Sequence, residues 1–272
     1  MEGQSSIKEA QISLSETARV RLLSLRGEPL FIGDWLRTFM IHYEVDPAAL
    51  QRIVPFQLDL NDGRAFVSVV AFTLNGMRLR FGGRITAWLL SPISTHHFLN
   101  VRTYVTVNGE SGIYFLAEWL SNRLSVTAGP LAFGLPYRFG RIRYDHEWNR
   151  PSANECFSPC PPTGRVEDYK TGKAFAYVAS LSSQPHFREC ESASLTEWLM
   201  ERYTAFTKLG NLRRFFRVWH RPWLQAPADI HVTEQSLLNQ NWPVFCDARI
   251  VGANFSPGVT DVWMGWPHRV RD

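Results

Sequence analysis

Lysine is nearly missing from this sequence. Of the 29 basic residues in 272, only Lys8, Lys170, Lys173 and Lys208 are lysines, and the rest are arginines. The skew bears on chemistry: arginine stays protonated and grips a carboxylate or phosphate in a fork, whereas lysine can lose its proton and form a Schiff base. The chain is equipped to hold anions more than to make imines.

Long apolar runs are missing too. The longest, Ala65 to Leu74, contains Ser68 and Thr73 and has about half of the roughly 20 residues needed to cross a bilayer, so no membrane association is expected. Met1 to Ser15 is polar and has no secretory leader's apolar segment, which makes cytoplasmic the expected location. There the four cysteines default to reduced thiols. A glycine-rich phosphate loop, a dinucleotide fingerprint and a Gly-x-Ser-x-Gly elbow are also lacking, and no cofactor is expected.

What is present reads as a folded, β-rich chain. A hydrophobic content of 45% with 20% charged residues is ordinary for a globular protein. We expect a polar extension over residues 1–29, with Val20, Leu22, Leu23 and Leu25 as a docking stripe, followed by one domain over 30–272. Phe31 to Val45 reads as a strand. Asp46 then caps a short helix that has Pro47 at its first position. Further strands are expected at Ala65 to Leu74, Phe98 to Val107, Ile113 to Trp119, Leu124 to Ala128 and Ala174 to Leu181. Others follow at Phe215 to Trp219, Ala228 to Thr233 and Phe245 to Val251, with a hairpin turn at Asn108-Gly109. The clearest helix signal runs from Leu195 to Lys208, with Ser194 and Glu197 as a capping box and Gly210 as its stop.

Asn100-Val101-Arg102-Thr103-Tyr104-Val105, Gly112-Ile113-Tyr114-Phe115 and Leu135-Pro136-Tyr137 resemble the uncharacterised YqjF-like family of the acetoacetate decarboxylase-like superfamily. Asp34-Trp35, Glu201-Arg202-Tyr203, His220-Arg221-Pro222-Trp223 and Phe255 to Val259 extend the likeness over roughly residues 30–268. The resemblance implies an α+β, β-rich fold: a closed or partly closed antiparallel β-barrel or sheet around a pocket, with helices packed outside. Decarboxylases of the superfamily carry Pro-Lys-Lys where this chain has Pro136-Tyr137-Arg138. Their first lysine forms the Schiff base and the second cation lowers its pKa, an effect for which acetoacetate decarboxylase is the standard example. A phenol cannot form an iminium, so Schiff-base decarboxylation is not expected here. An acidic residue also commonly stands two positions before the Asn of the Asn-Val-Arg-Thr-Tyr-Val block, where this chain has Phe98, so a pocket carboxylate is expected to be missing as well.

Strand alternation puts Asn100, Arg102 and Tyr104 on one face. If that face lines the pocket, Arg102 anchors an anion while Asn100 and Tyr104 orient it. Otherwise Arg102 is a buried arginine paired with an Asp or Glu. Tyr137 and Arg138 inherit the active-site turn, so Tyr137, with Arg102, is the candidate catalytic pair; both tyrosine and its neighbour could instead simply plug the old site. His220 is the best placed of the histidines, ahead of His96 and His97. Cys156, Cys160, His186 and Cys190 flank an expected hairpin, but their spacing matches no standard zinc pattern, and no metal is expected. Lys173 reads as a solvated hairpin lysine. The arginine clusters Arg78/Arg80/Arg84, Arg138/Arg141/Arg143 and Arg213/Arg214/Arg217/Arg221 carry no recognised nucleic-acid motif, and nucleic acid is not the expected partner. The expected ligand is a small organic acid or carbonyl compound. The alternative is a non-catalytic interaction module with a side-chain-filled barrel and an arginine-rich partner surface.

Overall fold

The computed structural model describes residues 13–82, 88–147 and 161–271. Runs of β-branched and aromatic residues pair there into one continuous sheet. Its first half comprises β1 (Phe31–Val45), β2 (Gln57–Leu58), β3 (Ala65–Leu79), β4 (His96–Val107), β5 (Glu110–Leu120), β6 (Tyr137–Asp145) and β7 (Thr163–Asp168). The second half comprises β8 (Ala174–Ser180), β9 (Thr204–Leu209), β10 (Leu212–Trp219), β11 (Ala226–Pro227), β12 (Asp229–Glu234), β13 (Arg249–Met264) and β14 (His268–Arg269).

The sheet closes on itself. β13 pairs with β1, β1 with β3, β3 with β4, β4 with β5, β5 with β9 and β9 with β10, and β10 returns to β13. The last seam is short, holding only Val218↔Met264 and Trp219↔Trp263, so the ring is not a strict barrel. It is also mixed, because β5 runs parallel to both β9 and β6. β5 is where the sheet forks: Ile113 and Tyr114 meet β9, while Glu118 to Leu120 meet β6. From β6 an arm continues through β7 and β8 to β12.

Alternation along the ring strands separates two cores. Phe39, Ile41, Val67, Val69, Leu99 and Val101 face outward into a cluster with Val166, Phe175 and Tyr177 of the arm. Met40, Val70, Phe72, Phe98, Phe115 and Phe216 face the ring interior. Among the register irregularities of the ring, two bear on this alternation beside the interior, each adding residues to one strand without a matching residue opposite. The β1–β3 register slips between Leu36 and Phe39, and the β4–β5 register slips between Val101 and Arg102.

The helices are α1 (Leu14–Leu23), α2 (Pro47–Gln51), α3 (Arg123–Phe133), α4 (Leu195–Met200) and α5 (Ser236–Asn241). α2 starts as its sequence requires, with the Asp46 carboxylate accepting from Ala49 N–H at 2.6 Å. α1 buries Ser15, Ala18 and Leu22; of the expected stripe Leu22 is buried and Leu25 half-buried, while Val20 and Leu23 are exposed. Spacings of three and four residues select that face.

Three sequence expectations are corrected. The stretch Leu124 to Ala128 is helical, within α3, because Asn122 caps it by accepting from Ser125 N–H at 3.1 Å and Gly134 ends it in the left-handed conformation at φ 72°. The expected helix Leu195 to Lys208 stops at Met200: its capping box forms, with Ser194 Oγ accepting from Glu197 N–H. The aromatic and β-branched residues from Thr204 then pair as β9, and Gly210 turns a hairpin instead of stopping a helix. Phe245 closes a short 3-10 turn, and the strand expected there begins at Arg249.

Candidate ligand cavity

The ring interior is not packed solid. A cavity of about 220 Å³ lies inside it, walled by β1, β3, β4, β5 and β10 and covered on one side by α3 through Ser125, Gly129, Ala132 and Phe133.

Strand register arranges its polar groups in successive cross-strand rows. One row runs His42–Ser68–Arg102 across β1, β3 and β4. The next runs Met40–Val70–Asn100–Glu118–Tyr137 across β1, β3, β4, β5 and β6. Beyond it come Phe72 opposite Phe98, and then Leu74 opposite His96. Neighbours in such a row share a face, and Arg102, Asn100, Glu118, Tyr137, Phe98 and His96 all line the cavity.

Glu118 is the group the sequence reading missed. It is 3% exposed and lines the cavity, and its Oε2 has no hydrogen-bond partner among the described residues. Burial holds its carboxyl well above the usual range, while the Arg102 guanidinium acts in the opposite direction. The loss of an acid at Phe98 therefore does not leave the pocket without a carboxyl group, because β5 supplies one from the adjacent strand. Alternation counted from Ile113 and Phe115 would turn Glu118 outward. The bulge at Val101/Arg102 inverts the phase, so that Phe115 and Glu118 both face inward.

Arg102 is 7% exposed, donates to the Leu199 carbonyl at 3.3 Å, and leaves its Nε without a partner. Among the described residues no carboxylate lies within ion-pairing distance of it, so the buried ion pair considered from sequence is not formed. The Leu199 carbonyl also accepts from the Tyr104 hydroxyl at 2.9 Å, Tyr104 contacts Ser68 Oγ, and Ser68 Oγ lies 2.7 Å from His42 Nδ1. Proton counting fixes the direction of this chain. Tyr104 spends its only hydrogen on Leu199, so Ser68 donates to Tyr104 and His42 donates from Nδ1. His42 is neutral in this tautomer, and burial lowers its pKa to about 3.

Tyr137 lines the cavity beside Phe98, with ring centroids 6.1 Å apart. Burial and then the Glu118 charge push its phenol well above its usual range. Gly129 makes room for this ring, since a Cβ there would stand 2.1 Å from it. His220 is buried against Trp35, Trp223 and Tyr203 and lines the cavity, with its pKa lowered to about 4 by burial. His96 lines the far end, also lowered to about 4 by burial, and neither ring nitrogen has a hydrogen-bond partner among the described residues. Thr38 Oγ1, Asn100 Oδ1 and Ser125 Oγ are likewise buried and unpartnered, and all three residues line the same cavity.

Other candidates lie elsewhere. Arg138 follows Tyr137 and so points to the opposite face, where it donates to Asn241 and lies over the Trp119 ring. Tyr104 does not line the cavity and acts through Leu199. His97 turns away to Thr73 Oγ1 at 3.0 Å. Lys170, Lys173 and Lys208 are exposed. Cys156, Cys160 and Arg84 lie outside the described residues; His186 is exposed, and burial pushes the Cys190 thiol up to about 12. Among the described residues no cluster of metal-ligating side chains occurs, and no helix is long and apolar enough to cross a membrane. Within the arginine clusters, Arg78 pairs with Asp261 at 2.6 Å, Arg141 with Glu167 at 3.1 Å and Arg217 with Glu110 at 3.3 Å.

Residues 33–259 match the model of DUF2071, a family described as an uncharacterized conserved protein. The uncharacterized protein YqjF of Bacillus subtilis (strain 168) is 29% identical over 205 residues, which cover 73% of this chain and 76% of that protein. Among known structures, acetoacetate decarboxylase from Legionella pneumophila superposes with a TM-score of 0.61 at 13% identity, covering 93% of this chain and 94% of that one. The enduracididine biosynthesis enzyme MppR, complexed with pyruvate, superposes with a TM-score of 0.60 at 14% identity, covering 91% and 92%. The acetoacetate decarboxylase-like fold is thus shared across low identity.

Proposed function

Because the chain belongs to the DUF2071 family and encloses a cavity, we propose that it binds a small organic acid or carbonyl compound there. The observation that carries this reading is the concentration of unpartnered buried polar atoms from Asn100, Arg102, Glu118 and Ser125 around one space. A buried polar group without a partner costs roughly 1–3 kcal/mol, and several of them facing one space call for a ligand or ordered water to satisfy them. MppR, which shares the fold, is known in complex with pyruvate, a small carboxylate.

In this reading Arg102 holds the anionic oxygen of the ligand, and Asn100 orients it. Glu118, whose carboxyl burial holds toward its protonated form, and Tyr137 donate hydrogen bonds to a carbonyl or hydroxyl oxygen at their level of the ring. Donors placed in a water-poor site polarise a carbonyl strongly, so the same pair would serve as acids if the ligand is turned over. His220 closes the wall behind them and, being neutral, adds no competing charge. Arg138 has no part in it.

Thermal melting with a panel of small oxo and hydroxy acids tests the proposal. Stabilisation by particular acids, lost in Arg102→Gln and weakened in Tyr137→Phe, is expected. Equal responses in parent and both variants would remove the site from this cavity.

A further inference from the structure

The cavity has a direction, and its charge is limited to one end. Successive cavity-facing positions on β4 are Arg102, Asn100, Phe98 and His96, and each step of two residues advances roughly 7 Å along the strand. At the Arg102 end stand the guanidinium and the Leu199 carbonyl. At the other end stand Phe72 stacked on Phe98 at 5.0 Å, Trp35 tilted on Phe72 at 5.6 Å, and Phe133 of α3. Glu118, Asn100 and Tyr137 occupy the level between.

Among the described residues, Arg102 is the one cationic side chain at the cavity that no carboxylate pairs with. Arg202 also reaches the wall, but its Nη1 is held by Asp59 at 2.8 Å and its guanidinium lies over the Trp198 ring at 4.1 Å. His96 at the aromatic end is neutral, because burial lowers its pKa to about 4. A second carboxylate bound among Phe72, Phe98 and Trp35 would lose its hydration without gaining a cation. A three-carbon acid on Arg102 would leave the aromatic end unfilled.

Resting on the reading that this cavity is a ligand site, we infer that its ligand class is a monocarboxylate with an apolar, ring-sized tail. It lies lengthwise, with the carboxylate on Arg102 and the tail between Trp35, Phe72, Phe98 and Phe133. Offset and edge-on contacts with these rings suit an aryl group.

Calorimetry on the full chain with matched probes tests the inference: 3-phenylpropanoate, pyruvate, succinate and the neutral 3-phenylpropanol. 3-Phenylpropanoate is expected to bind at least tenfold tighter than each of the other three, and Arg102→Gln, with its fold verified by circular dichroism, is expected to abolish that advantage over the alcohol. Pyruvate or succinate binding as tightly as 3-phenylpropanoate would overturn the tail assignment while leaving the cavity a ligand site. The alcohol binding as tightly would overturn the single-anion assignment in the same way. Binding of 3-phenylpropanoate that survives Arg102→Gln undiminished would overturn the lengthwise placement. Failure of all four probes to bind would overturn both the inference and the ligand-site reading beneath it.

Discussion

Glu118 and Tyr137 stand opposite each other on adjacent parallel strands, and both face the ring cavity. Burial favours the protonated form of each, and a charge on Glu118 would raise Tyr137 further. A carboxylic acid and a phenol side by side form a pair of hydrogen-bond donors, which is the reverse of what an anionic Glu118 would provide. Their titration is therefore the most direct handle on the site.

Glu118→Gln removes the titration while keeping the shape. A carboxyl whose folded pKa is raised contributes stability that is fully present below its unfolded pKa and is lost as pH rises toward the folded value. The parent is therefore expected to lose stability relative to Glu118→Gln as pH rises above the usual carboxylate range. Urea denaturation of both proteins from acid to neutral pH checks this, and parallel curves would show that Glu118 ionises normally in the fold.

Gly129 offers a steric test of the wall. Its missing Cβ would lie 2.1 Å from the Tyr137 ring and 2.4 Å from a second atom of it, so Gly129→Ala must displace Tyr137 or α3. Overpacking of this kind costs about 1–3 kcal/mol. The double variant Gly129→Ala/Tyr137→Leu is expected to recover most of the loss relative to Tyr137→Leu alone, as measured by denaturation midpoints. Full additivity of the two changes would show that the ring does not rest on Gly129.

The chain from His42 through Ser68 and Tyr104 to the Leu199 carbonyl shares its last acceptor with Arg102. Tyr104→Phe removes one of the two donors on that carbonyl and leaves Ser68 without its acceptor. The expected cost is about 1–3 kcal/mol of stability, with ligand affinity reduced less than by Arg102→Gln, because the guanidinium itself remains. Equal affinity losses in the two variants would show that Tyr104 touches the ligand directly.

Most strands were legible because β-branched and aromatic runs stand between turn residues, and β1 begins and ends where its sequence indicates. Errors gathered where a local signal competed with pairing. Leu124 to Ala128 has strand-like residues, but the Asn122 cap and the left-handed Gly134 enclose them in a helix. The capping box before Leu195 is real, yet it starts only six helical residues, because Thr204 to Leu209 finds strands on both sides. Within the site, Arg102, Asn100, Tyr137 and His220 reach the cavity, whereas Arg138 is turned out by the alternation that turns Tyr137 in. Glu118 was hidden by a bulge, a feature of strand pairing that carries no residue signature in Leu116-Ala117-Glu118. The same holds for Trp35 and Met40, which have opposite parity and reach one cavity through the irregularity between Leu36 and Phe39.

Acid should destabilise this fold progressively. His42 and His146 have pKa values lowered to about 3, and His96 and His220 to about 4, with burial the leading cause in each case. A histidine with a depressed folded pKa contributes stability that is present above its unfolded value near 6.5 and is lost as pH falls toward the folded value. Glu118 and Glu201 act in the opposite sense, gaining stability as they are protonated, but burial lowers His97 as well, so two carboxyls oppose five imidazoles. The thermal midpoint is therefore expected to drop steadily below about pH 6.5, with the loss largely complete near the lowered histidine values. His146 is the informative member to replace. It stacks on Tyr144 at 4.4 Å and links the Arg37 carbonyl at 2.8 Å to the Tyr177 hydroxyl at 2.8 Å, on the outer side of the ring and away from the cavity. His146→Gln retains hydrogen-bonding groups without the charge, so it should lower stability at neutral pH yet reduce the slope of the acid decline. A slope unchanged in this variant would place the acid sensitivity in other groups.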